Sequence, residues 1–371
     1  MQRKTFFGIF LSVLFAASFA TAAEKSAPER HFLYVAAPGI RDELNHGGHG
    51  ILVFDMDAEY KFVKRIPSAG LDATNHVMNV KGICASAKTK RLYVSTLQTM
   101  MCFDLVSEKL LWEKSYEGGC DRMAISPDGK IIYLPSFEGD FWNVVDARSG
   151  KVLKKILTKP AGAHNTVIGL DGKFAYLAGL KSPALRVVDT KTREVVREIG
   201  PFSKPIRPFT INGAQTLCYA NVNGLLGFEI GDLKTGKVLQ RVEVQGFKQG
   251  PVKRHGCPSH GIALTPDEKE LWLADSANSC LHIFDNTVMP PKQIMDIPVR
   301  DQPGWITFSI DGRYAWPSTG EVIDVKTHQI IARLTDETGA AVQSEKLLEI
   351  DFAGEAPVRA GNQFGLGKIA K

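Results

Sequence analysis

One module returns seven times along this chain, and each copy closes its third apolar segment on an aspartate: Asp55, Asp104, Asp146, Asp189, Asp232, Asp285 and Asp324. Their separations are 49, 42, 43, 43, 53 and 39 residues. The clearest copy runs from Arg122 through a Pro127-Asp128-Gly129 turn to Pro135, continues from Phe141 to Asp146, and ends with a fourth segment from Arg148 to Ile156. The stretch from His260 to Asp275 repeats its first half. Four short apolar segments in about 40 residues, parted by turn residues, are the signature of propeller blades. Helical repeats of that length would need apolar residues spaced at 3.6, and no useful run of that kind is present. The 34 Gly and 19 Pro, spread along the chain, agree with many short strands and turns. The expected fold is all-β: a seven-bladed β-propeller with four-stranded antiparallel blades.

The ends of the array predict how the ring closes. Phe32–Ala37, Gly50–Asp55 and Phe62–Ile66 read as the second, third and fourth strands of a blade that has no first strand. Beyond the last full module, Lys346–Phe352 is a lone apolar strand without a partner of its own. The C-terminal strand is therefore expected to complete the first blade, which removes an exposed sheet edge. The propeller spans residues 31–355 on this reading, and 356–371 remain as a C-terminal tail.

Residues 1–23 read as a secretory signal peptide, with Arg3 and Lys4 ahead of an apolar stretch from Phe6 to Ala20 and an Ala20-Thr21-Ala22 cleavage pattern. That stretch is short of the roughly 20 residues that a spanning helix needs. No other segment has transmembrane length, so a periplasmic or secreted protein is expected. Loss of Arg3 and Lys4 would take the formal charge from +5 to +3, which excludes bulk attraction to nucleic acid. No Cys-x-x-Cys pair appears among the six cysteines, which argues against a c-type haem or a thioredoxin-like site.

The modules resemble the YVTN β-propeller repeat family and are similar also to lactonase-type seven-bladed propellers, over about residues 31–355. The resemblance implies the fold and frequent secretion. It does not imply one activity, because functions on this fold vary widely.

The residues that begin each first strand should ring the mouth of the central channel: Lys81, Arg122, His164 or Asn165, Arg207, His260 and Trp305. This set is basic and holds no Glu, and Asp121 beside Arg122 is its one obvious acid. Such a funnel would focus a small anionic or carbohydrate-like ligand, with Lys81, Arg122, Asn165, Arg207 and Trp305 as binding residues. A catalytic version would be a lactonase or lyase with His164 or His260 as general base, and Arg122 and Arg207 stabilising developing charge. A divalent metal is the one cofactor suggested, through His46, His76, His164 and His260, and His255, Cys257 and His260 lie close together in sequence. Cys257 and Cys280 both map to the upper face and are a candidate disulfide. His31, His282 and His328 map elsewhere and read as structural or solvated. No acid pair reaches the mouth, which disfavours a two-carboxylate glycosidase, and no Gly-x-Ser-x-Gly elbow is present. A protein-interaction scaffold is the non-catalytic alternative, and a monomer is expected.

Overall fold

The repeat aspartates fix the turns between third and fourth strands. Asp104 Oδ1 accepts from the backbone N–H groups of Val106 and Ser107 at 3.0 and 2.7 Å. Asp146, Asp189, Asp232, Asp285 and Asp324 cap their own hairpins in the same way. Each carboxylate takes donors that the turning backbone leaves unpaired. Hydrogen bonds from the turn, through backbone N–H or hydroxyl, hold all six carboxyls below their ordinary value.

The computed structural model describes residues 1–2, 28–67, 69–72, 74–159, 161–252 and 254–368. Apart from residues 1 and 2, the stretch 1–23 expected to be a signal peptide lies outside them. The strands form seven sheets around a channel. Blade two shows the order from the channel outward: Val80–Ser86, Arg91–Thr96, Thr99–Asp104 and Leu110–Ser115, each antiparallel to the next. Blades three to seven repeat it. The chain is a seven-bladed β-propeller. Among the described residues no helix is long and apolar enough to cross a membrane.

Second and third strands are apolar on both faces because each blade packs between two neighbours, whereas fourth strands face solvent on one side. The second strands carry the large rings Tyr93, Tyr133, Tyr176, Tyr219 and Trp272, all essentially buried. Several of these rings join neighbouring blades. The Tyr93 hydroxyl donates to the Ala147 carbonyl of blade three at 2.9 Å. The Trp272 ring packs edge-on against Phe308 of blade seven, with centroids 5.4 Å apart.

Closure occurs as the chain ends predict. Leu347–Ala353 is the inner strand of blade one and pairs with Glu29–Ala37, setting Val35 opposite Leu347 and Leu33 opposite Glu349. Leu347, Leu348 and Ile350 are buried. Of the expected tail 356–371, residues 356–368 are instead built into the ring. Ala356–Ala360 adds a fifth strand to the inner edge of blade one. Residues 361–368 then cross the lower end of the channel. There Gln363 Nε2 donates to the Met123 carbonyl at 2.8 Å, and the Gln363 carbonyl accepts from Trp305 Nε1 at 2.6 Å. Phe364 packs on Trp305, and the Gly365 carbonyl accepts from Leu264 N–H at 3.0 Å. The segment stops the channel from below because backbone groups of several blades need partners at the axis.

Deleting everything after Ala340 should abolish the cooperative melting transition, since blade one loses its inner strand and its neighbours lose a packing face. A truncated chain that still melts cooperatively would refute closure. The turn carboxyls also predict acid sensitivity. A folded-state pKa below the unfolded value gives stability that is full above about pH 4 and is lost as pH falls further. Melting temperature should therefore drop steeply below about pH 4. Asp146→Asn with Asp324→Asn should flatten that drop, and an unchanged profile would exclude the turn carboxyls as its cause.

Candidate functional site

Every inner strand begins at the upper face, so the chain places one side chain from each blade at the channel mouth. Lys81, Arg122, His164, Arg207 and His260 line a single cavity of about 530 Å³ there. The closing strand adds Glu345 and Lys346 just ahead of Leu347. The link into blade six adds Arg254 and His255, and the long loop of blade one adds Arg41 and Asp42. Six Lys or Arg residues line this cavity against three carboxylates, Asp42, Glu138 and Glu345.

Glu345 is the hub. Its Oε2 lies 2.7 Å from Arg122 Nη2 and 2.9 Å from Lys346 Nζ, and its Oε1 lies 2.9 Å from His255 Nδ1. Lys346 also donates to the Gly39 carbonyl at 2.8 Å. The His255 Nε2 faces the Gln302 carbonyl at 2.9 Å, so this ring stands between two acceptors. His260 stacks beside it with ring centroids 5.0 Å apart, its Nδ1 on the Gly304 carbonyl at 2.8 Å. Among the described residues its Nε2 makes no hydrogen bond.

A second cluster lies on the blade-three side. Asp121, fully buried, accepts from the Arg122 backbone N–H at 2.9 Å and stands 3.5 Å from Lys81 Nζ. Its Oδ2 is 2.6 Å from His164 Nδ1, which fixes that ring with Nε2 as the remaining basic atom. Between the clusters, the Arg122 guanidinium lies flat on the Trp305 indole, its carbon 3.6 Å from the ring centroid. Arg122 Nη1 is buried and has no acceptor.

The titration behaviour of these groups has one sign. Burial alone would raise the carboxyls of Glu345 and Asp121. Lys346, His255 and Arg122 overcome this at Glu345 and hold it well below the usual range, and His164 and Lys81 do so at Asp121. Burial, with Arg122 and Lys81, pushes the Lys346 ammonium down to about 8 despite Glu345. His164 and His260 are likewise lowered, first by burial and then by neighbouring positive charge. The acids are held down by their cationic neighbours, whereas the bases are lowered chiefly by burial, against the opposing pull of Asp121 on His164 and of Glu345 on His260 and Lys346.

Several expected positions change. Asn165 and Trp305 do not line the cavity; both are buried below it, Asn165 bridged to Arg122 and Trp305 carrying the guanidinium. The four-histidine metal set is not assembled. His46 pairs with Glu43 at 3.0 Å, His76 is 81% exposed and held by Thr74, and His164 belongs to Asp121. The metal-capable group at the mouth is His255, His260 and Glu345. Its carboxylate is already neutralised by Arg122 and Lys346, so a cation there would meet two buried positive charges. Cys257 and Cys280 form no disulfide: all six cysteines are free and buried, and the Cys257 thiol donates to the Ser259 carbonyl at 2.9 Å. The mouth does hold a Glu, from the strand that closes the ring.

No family model and no curated protein matches the chain. Among solved structures it aligns with Kuenenia stuttgartiensis hydrazine synthase at 17% identity, over 70% of this chain and 98% of that one, with a TM-score of 0.46. That likeness carries no argument about activity.

Glu345→Gln keeps the volume but leaves the Arg122 guanidinium and the Lys346 ammonium buried without their carboxylate. The loss should be about 3 to 5 kcal/mol of stability in urea melts. A loss under about 1 kcal/mol, the range of an exposed pair, would show that these cations are not desolvated.

Proposed function

We propose that this propeller binds a small organic anion, a carboxylate or sugar acid, in the cavity at the upper mouth of its channel, and that it does so after export to the periplasm or the cell exterior. The observation that carries the reading is Arg122. It lines the cavity, braced on Trp305 and paired through Nη2 with Glu345, and its buried Nη1 has no acceptor. A buried donor without a partner costs about 1 to 3 kcal/mol, more when charged, and a ligand carboxylate would recover that cost. Arg207, held by Asn223 at 2.6 Å and by the Gly256 carbonyl at 3.1 Å, presents a second oriented guanidinium to the same space. The cations are fixed before a ligand arrives, so binding does not have to order them. The likeness of the repeats to YVTN propellers, which no family model matches, rests on the repeat residues alone and adds the fold but not the ligand.

A lyase or lactonase reading has its own support. His260 and His164 each engage Nδ1 with a fixed acceptor and keep Nε2 as the basic atom, beside cations suited to a carboxylate or enolate.

The test is a thermal-shift and calorimetric screen of small carboxylates, uronic and aldonic acids and their lactones. At least one should bind, and Arg122→Gln and Arg207→Ala should each weaken it about 10- to 100-fold, the scale of a charge-assisted hydrogen bond. Affinity unchanged in both variants would remove the ligand from this cavity. For a compound that is turned over, His260→Gln or His164→Gln should remove turnover while leaving affinity within about threefold. Equal turnover in both variants would exclude the histidines as bases.

A further inference from the structure

A second cluster lies in blade six, outside the cavity. Residues two apart on a strand share a face, so Cys280 and His282 of the third strand, Cys280–Asp285, point the same way. The antiparallel register sets Asp275 opposite Cys280 and Asp296 opposite His282. Phe284, next on that face, packs on Phe228 of blade five with ring centroids 5.2 Å apart. The four polar side chains thus meet at the junction of blades five and six, where the Phe247 ring covers His282 with centroids 4.7 Å apart.

The His282 Nδ1 lies 2.6 Å from Asp296 Oδ1, its Nε2 lies 3.2 Å from Asp275 Oδ2, and Cys280 Sγ lies 3.7 Å from both ring nitrogens. The corresponding position in blade four is a plain ion pair, Arg186 Nε to Glu198 Oε1 at 3.0 Å across the same register. Blade six instead places one imidazole between two carboxylates and a thiol. Among the described residues neither carboxylate has a Lys or Arg ion-pair partner, so the group is short of positive charge.

We propose that Cys280, His282 and Asp296 bind a zinc ion, with Asp275 as the positioning residue that holds the histidine. The three ligand atoms lie within 4.8 Å of one another. Ligands at zinc bond lengths of about 2.0 to 2.3 Å in a tetrahedron stand roughly 3.3 to 3.7 Å apart; the sulfur, 3.7 Å from both ring nitrogens, needs only to turn toward Nδ1 to join such a set. Asp275 takes the Nε2–H and leaves the Nδ1 lone pair for the metal, the usual way an outer carboxylate sets a ligating histidine. Asp275 is itself fixed by Asn278 Nδ2 at 2.6 Å and by the backbone N–H groups of Ala277 and Asn278, both at 3.0 Å. A thiolate, an imidazole and a carboxylate together favour zinc over magnesium or calcium. The Asp296 side chain is 32% exposed, which leaves the fourth position to water. Binding displaces the thiol proton to solvent. The ion would tie the second, third and fourth strands of blade six together beneath Phe247.

The test uses the full chain, freed of any affinity tag, incubated with Zn²⁺ and gel-filtered before elemental analysis. About one zinc per chain should remain, and a chelator should lower the melting temperature. Co²⁺ in place of zinc should give a near-ultraviolet thiolate-to-metal absorption. Cys280→Ser should abolish that band, and Asp296→Ala, a change at a partly exposed side chain, should weaken zinc binding about tenfold or more. His260→Gln, at the channel mouth, should keep one zinc. Wild type that retains no more zinc than Cys280→Ser, or zinc that is lost in His260→Gln and kept in Cys280→Ser, would overturn the assignment.

Discussion

A four-stranded blade with two apolar faces cannot bury both of them alone. Each needs a neighbour on either side, and a row of such blades satisfies its end members only by becoming a ring. The inner strand Leu347–Ala353, laid against Glu29–Ala37, turns the row into a ring, and the rest of the structure depends on it. It supplies Leu347, Leu348 and Ile350 to two inter-blade cores. Because the remaining residues must leave through the lower mouth, they become a stopper whose backbone pairs with several blades at once.

Closure also composes the site. The same strand that completes blade one brings Glu345 and Lys346 to the upper mouth, where Glu345 gathers Arg122, His255 and Lys346 around one carboxylate. Without it Arg122 would be buried with no carboxylate partner, an arrangement too costly to keep. With it the six Lys and Arg of the cavity still outnumber its three carboxylates, and the cations nearest Glu345 hold that carboxyl well below its ordinary range. Stability and recognition therefore meet in the same few atoms: what holds Arg122 rigid also leaves one of its donors free.

The two metal-capable clusters of the described residues have opposite electrostatic character. At the mouth, Arg122, Lys346 and His255 crowd one carboxylate, and the surplus of Lys and Arg around it suits an anion. At the junction of blades five and six, two carboxylates and a thiol crowd one imidazole, which suits a cation. Residue types alone do not separate the two cases, because His with Cys, Asp or Glu nearby is common to both. The neighbours across the strand register separate them.

Period and turn chemistry were legible directly. The seven aspartates, the Pro-Asp-Gly turns and the alternation of apolar strands determine four-stranded blades, because they are local rules of hydrogen bonding and hydrophobic patterning. The unpaired strand at each end determines closure for the same reason. The position of Arg122, His164, Arg207 and His260 at the mouth followed from their place at the start of inner strands, and the same rule applied to the closing strand would have found Glu345 and Lys346. Tertiary structure decided the rest. Only packing shows that Trp305 lies beneath Arg122, that His46 pairs with Glu43 and His76 stays exposed, that Cys257 turns toward the Ser259 carbonyl, and that residues 361–368 stop the channel. These outcomes depend on which side chains from distant blades compete for one buried volume and its few charges, and that competition has no signature along the chain.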